Sequence, residues 1–149
     1  TGELKYDVLS CIDKAIPFPI LFELNYEGQI KAIAAYKRPS EADSSKWVVS
    51  DYFETPWLPS DTPRTPLPLV LDLEGLYAHL LSPLMPFPAR PAEDLQARVE
   101  RMELIRSRQR ELEKCETRLC KEKQFNRKVA INAELRTLKL VLQSLKDEG

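Results

Sequence analysis

Glycine is scarce in this 149-residue chain, with only Gly2, Gly28, Gly75 and Gly149. Four scattered glycines cannot build a glycine-rich phosphate loop, so nucleotide binding by a standard loop is not expected. Histidine occurs once, at His79, and cysteine three times, at Cys11, Cys115 and Cys120. The odd count and the lack of metal-ligand spacing read as free thiols in a reducing, cytoplasmic setting. Cys115 and Cys120 are five apart, which on a helix places them poorly for sharing one ion. No cofactor, metal ligand or catalytic residue is assigned. No run reaches the ~18 apolar residues of a membrane span, and no signal-peptide pattern opens the chain. The start at Thr1 rather than Met carries the expectation that further sequence precedes it.

Proline is absent from part of the chain only. All twelve prolines lie between Pro17 and Pro91, and neither Gly nor Pro occurs from Ala92 to Glu148. This shift divides the chain into residues 1–90, a small α+β domain, and residues 91–149, a helical region. The first part is near the size at which a single core becomes marginal, so it needs a cover. Charge divides the same way. Residues 1–90 hold 8 basic and 12 acidic side chains, and residues 91–149 hold 14 and 11. An excess of that size first reads as a mixed-charge solvated helix face, and it is compatible with weak nucleic-acid contact.

Within the first part, Val8, Leu9, Ile12 and Ala15 recur at helical spacing over 6–16, and Pro17 and Pro19 stop that helix. Ile20–Leu24 reads as a strand and Asn25–Gly28 as a turn. A second strand alternates through Ile30, Ala32, Ala34 and Tyr36, which together with the first predicts an antiparallel hairpin. Trp47–Phe53 reads as a third strand. Prolines at 56, 59, 63, 66 and 68 make the next segment extended and stiff. Leu69–Leu71 is expected as a fourth strand, followed by a helix capped by Asp72 and carrying Leu73, Leu76, Tyr77, Leu80 and Leu81. Residues 83–91 read as a linker.

The helical region is expected to start at Ala92, with Glu93 and Asp94 in its first turn. Leu95, Val99, Met102, Ile105, Leu112, Cys115 and Leu119 form an apolar stripe that thins over 106–110. Ile131, Leu135, Leu138, Leu142 and Leu145 repeat at four-three spacing, the clearest heptad run in the chain. Two forms stay open. One is a nearly continuous coiled-coil helix of about 80 Å. The other is a helical hairpin folded back near Gln124–Asn126, although that stretch lacks the Gly or Pro that a tight turn usually wants. Either way the stripe needs another chain or a fold-back to cover it.

Lys121, Lys123, Arg127 and Lys128 form the densest basic cluster and are the candidate phosphate contacts. Phe125, Asn126, Asn132, Leu135, Leu138 and Leu142 are the candidate partner-binding residues, because polar residues at a helical interface fix register. A metal-dependent nuclease would need clustered carboxylates and commonly a lysine. Glu23 with Lys31 or Lys37 supplies the candidates, Asp51 near the end of the third strand gives no second strand-borne acid of known facing, and ordinary cross-strand pairing is the first reading of them. His79, near Asp72 and Glu74, reads as a surface histidine.

Three stretches are distinctive in wording: Ile12–Phe22, Ala35–Arg38 and Lys123–Leu135. Through them the chain resembles an uncharacterised bacterial family encoded near helicases and methyltransferases of type III restriction-like DNA-defence loci. The resemblance runs over the whole chain and transfers no catalytic residue. It implies a partner in a helicase or methyltransferase complex, and more sequence ahead of Thr1. The combined expectation is an α+β protein, a small antiparallel sheet with short helices followed by a long helical or coiled-coil extension. Its expected role is a non-catalytic adaptor that self-associates or assembles a DNA-processing complex. The alternative is a nucleic-acid-binding or nuclease-like component.

Overall fold

The computed structural model describes residues 5–147 and divides the chain into two compact units, Thr1–Pro86 and Phe87–Gly149. The first unit is mixed α/β. Helix α1 (Tyr6–Ala15) ends where Ile16, ahead of Pro17, turns extended at φ −106°, ψ 116°. Strands β1 (Leu21–Tyr26) and β2 (Gln29–Pro39) form an antiparallel hairpin, and β3 (Trp47–Glu54) pairs antiparallel with the other edge of β2. The hairpin turn places Gly28 at φ 74° and Glu27 at φ 46°. Only glycine adopts such a backbone freely, so Gly28 is in place where the turn requires it.

The register fixes which residues share a face. Leu24 lies opposite Lys31, Ala32 opposite Glu23, and Ala34 opposite Phe53. Ala34 and Phe53 are fully buried on one face, while Ile33, Ala35 and Lys37 are buried along the other. Between Ala35 and Lys37 the pairing with β3 slips by one residue. There Ser50 Oγ accepts from Tyr36 N at 2.8 Å, replacing a missing ladder bond.

The fourth strand differs from expectation. It is Leu58–Pro59, paired with Gln29 and Ile30, and not Leu69–Leu71. Residues 69–71 have no strand beside them among the described residues, and Leu69 and Leu71 are fully exposed. Apolar, β-prone residues specify a strand only where a free edge lies within reach, and here the neighbouring prolines carry the chain away. Helix α2 (Leu73–Leu81) follows. Asp72 caps it, with Oδ1 accepting from Gly75 N at 2.7 Å. A 3₁₀ turn, Ser82–Leu84, closes the unit.

The second unit consists of α3 (Leu95–Lys121) and α4 (Phe125–Lys146), 27 and 22 residues long. The helix does not begin at Ala92, which sits at φ 59°. Asp94 is instead the cap, its Oδ1 accepting from Ala97 N at 2.7 Å. Nor is the region one continuous helix, because it breaks over residues 122–124. The two helices run antiparallel, as shown by Cys115 beside Ile131 and Arg101 beside Leu145. Cys115, Ile131 and Leu135 form a buried cluster with Leu112, Leu119 and Leu138 packed on it. The heptad leucines of α4 therefore meet the stripe of α3 in the same chain. The reverse turn needs no glycine, because Glu122 (φ −72°, ψ 135°) and Gln124 (φ −82°, ψ 125°) are simply extended.

Residues 87–93 also belong to this unit. Arg101 forks Glu93, with Nε to Oε1 at 2.6 Å and Nη2 to Oε2 at 2.8 Å, and also donates to Pro88 O and Leu145 O. Arg90 donates to Ser144 O and Asp147 O. The two arginines thus serve carbonyls at the end of α4 that have no partner within the helix.

Candidate functional site

The hairpin tip gathers exposed charge of one sign in the second unit. Residues 118–128 carry five basic side chains, Arg118, Lys121, Lys123, Arg127 and Lys128, against one acid, Glu122. The remainder of 87–149 holds ten of each sign, so the net positive charge of this unit resides at its tip. The break between helices places these residues together. Arg118 and Lys121 close α3, while Arg127 and Lys128 open α4.

Glu122 organises the turn. Its Oε1 accepts from Lys123 N and Gln124 N, both at 2.8 Å, which holds the chain in the turn ahead of α4. The hydrogen bond from Gln124 N is the largest cause holding its carboxyl below the ordinary range. Lys123 N, Arg127 and Lys128 add to it against the opposing effect of burial. Arg127 approaches Glu122 loosely at 3.9 Å, and Arg118 pairs with Glu134 at 3.1 Å. Both arginines remain mostly exposed. Arg118, Lys121, Glu122, Arg127, Ala130 and Ile131 line an open groove of about 420 Å³ whose surface is largely apolar.

All four expected phosphate contacts, Lys121, Lys123, Arg127 and Lys128, are exposed at this tip. Arg118, which sequence reading left out, joins Lys121 and Arg127 in the groove. Its approach to residue 127 depends on the fold-back, and spacing along the chain carries no signal of it. The expected partner-binding residues separate into two groups. Phe125 is 77% exposed, and Asn126 and Asn132 on the same helix are exposed too. Leu135 and Leu142 are buried, and Leu138 is half-buried against the Cys115 cluster. These leucines are covered within the chain and present no free stripe to a second one.

The nuclease candidates do not converge. Glu23 and Lys31 lie on opposite faces of the β1–β2 hairpin, because Lys31 stands opposite Leu24 and not Glu23. Glu23 accepts a fork from Arg64 at 2.8 and 2.9 Å, while Lys31 pairs with Glu54 at 2.6 Å. Asp51 is exposed at the register slip, and His79 is exposed on α2. No group of three His, Cys, Asp or Glu side chains placed to hold a metal ion occurs among the described residues.

Lys37 has a different place. It is buried, and its Nζ donates to Asp13 O, to Ile16 O at 2.5 Å and to Phe18 O at 3.1 Å, with Asp13 Oδ1 at 3.4 Å. Asp13 Oδ2 accepts from the Tyr52 hydroxyl at 2.5 Å. Burial, followed by the hydrogen bond and charge of Asp13, raises the Tyr52 pKa and keeps the phenol protonated. The lysine therefore ties the end of α1 to the sheet, with every donor engaged.

Residues 1–142 match the family model described as Domain of unknown function (DUF4391), and the chain belongs to that family. Comparisons with curated proteins and with solved structures returned no match.

Proposed function

We propose that this DUF4391 protein is a non-catalytic adaptor that joins another protein chain through the exposed segment 66–73, which leads into α2. The observation that carries this reading is a run of uncovered leucines. Leu67, Leu69, Leu71 and Leu73 are 69%, 104%, 105% and 82% exposed in succession. Isolated exposed leucines are ordinary, but four in seven residues concentrate exposed apolar area in one stretch, as interaction sites do. Covering each one is worth roughly 1.5–3 kcal/mol. Pro63, Pro66 and Pro68 hold the segment extended before it binds, which lowers the ordering cost. An extended apolar segment suits addition to a partner's sheet edge or docking in an apolar groove. The resemblance noted above directs the choice of partner to a helicase or methyltransferase subunit.

The test is the mass of the protein alone and co-expressed with a helicase or methyltransferase subunit of the kind the resemblance implies, measured by light scattering after gel filtration. A defined complex is expected that Leu69→Asp with Leu71→Asp abolishes while circular dichroism stays unchanged. A monomer under both conditions, or a complex indifferent to those two substitutions, would overturn the proposal.

A further inference from the structure

We infer that the hairpin tip binds single-stranded nucleic acid, with phosphates held by the cations of residues 118–128 and an unstacked base on Phe125. This inference is independent of the assembly proposed above and rests on three observations at one place. The first is charge, five cations and one carboxylate within residues 118–128, where Glu134 pairs with Arg118 alone, and a balanced mixture over the rest of the unit. Exposed cations concentrated on one protrusion attract a polyanion and release its counterions on binding. Glu122 offsets them only in part, because its Oε1 is turned to the backbone N–H groups of Lys123 and Gln124 and its Oε2 lies a loose 3.9 Å from Arg127.

The second observation is Phe125, the first residue of α4, 77% exposed among these cations. A phenyl ring in water among lysines adds nothing to phosphate contact. It gains by stacking on the face of a base. The third is the groove, with Ala130 and Ile131 among its lining residues and Arg118, Lys121 and Arg127 around it. At about 420 Å³ it falls within the roughly 300–1,000 Å³ of small-ligand sites. An apolar surface beside guanidinium groups suits a nucleotide, which has an apolar ring face and an anionic edge. Duplex bases are already stacked and offer neither the ring nor the groove a free face, so the geometry favours a single strand.

The experiment measures fluorescence anisotropy of labelled oligo-dT and oligo-U, each about 16 nucleotides long, across a salt series with the full chain. The expected result is salt-dependent binding of both strands, with log K falling by about 0.7 per phosphate neutralised for each tenfold rise in salt. Phe125→Ala should weaken binding roughly five- to hundred-fold without changing that slope, and Phe125→Trp should restore it. Lys121→Ala with Arg127→Ala should flatten the slope. Ala130→Glu, which brings a carboxylate into the groove, should weaken binding while the helical circular dichroism is retained. The proposal is overturned by no binding at low salt, by binding indifferent to Phe125, or by tighter binding of a duplex of the same length. Binding of the polyanion heparin with no binding of either oligonucleotide overturns it as well.

Discussion

Lys37 shows how one side chain takes its role from distant parts of the chain. Alternation along β2 already places it on the same face as Ile33 and Ala35, and that much is legible in the sequence. What surrounds it is not legible, because the acceptors are carbonyls of Asp13, Ile16 and Phe18, more than eighteen residues away and invisible in any residue pattern. Burying an ammonium group is costly unless hydrogen-bond acceptors surround it. Lys37→Met keeps the length of the side chain but leaves three carbonyls without their donor and the Asp13 carboxylate with Tyr52 alone. The expected loss is about 3–5 kcal/mol. Both tryptophans, Trp47 and Trp57, belong to the first unit, so urea unfolding followed by their fluorescence reports on it directly. A loss below about 1 kcal/mol would mean that the lysine is not the tie between α1 and the sheet.

Among the elements, the helical hairpin was half legible. The four-three leucine spacing of α4 and the stripe of α3 were visible as patterns, and both faces are buried as such faces must be. The break between them was not visible, because the turn is built from extended residues and the hydrogen bonds that Glu122 accepts from Lys123 N and Gln124 N rather than from Gly or Pro. The start of α3 was misplaced for a related reason. Asp94 can serve as a first-turn acid or as a cap, and only the backbone at Ala92 decides between them. Glu93 then acts outside the helix. The Arg101 fork, foremost, lowers its pKa to about 2 from 4.5, and Arg90 assists through its backbone N–H. A carboxylate depressed on folding stabilises the fold above its unfolded pKa, and that contribution disappears as pH falls through the folded value. The hairpin should therefore lose helical stability between pH 4.5 and about 2. Glu93→Gln should be less stable than the parent near neutral pH and approach it below about pH 2, as followed by thermal melts in circular dichroism. A stability gap that persists undiminished into that acid range would show that packing, and not the ion pair, is what the glutamate supplies.

At the scale of the whole molecule, the sequence contrast between a proline-bearing part and a proline-free part corresponds to two compact units, with the division at Pro86 rather than Pro91. The difference is small in residues but physical in origin. Arg90 and Glu93 are held by the end of α4 and by Arg101, so what looks like a linker is packed structure. The exposed stretch lies instead at 66–73, where the sequence suggests a strand and the structure leaves Leu69 and Leu71 fully exposed. Proteases cut where backbone is exposed and unpaired, and thermolysin cleaves before leucine, so these two properties meet at Leu67, Leu69 and Leu71. The hairpin turn at 122–124 is a competing site. It is short, however, and Glu122 holds two of its N–H groups. Limited thermolysin digestion of the full chain should therefore cut first between 66 and 73, as read by intact mass. Adding the partner that forms the complex should slow that first cut, because an enclosed strand cannot enter the protease. If the first cut falls at the hairpin turn, or if the complex is cleaved at 66–73 as fast as the free chain, the segment is neither the most open part of the molecule nor the part that a partner covers.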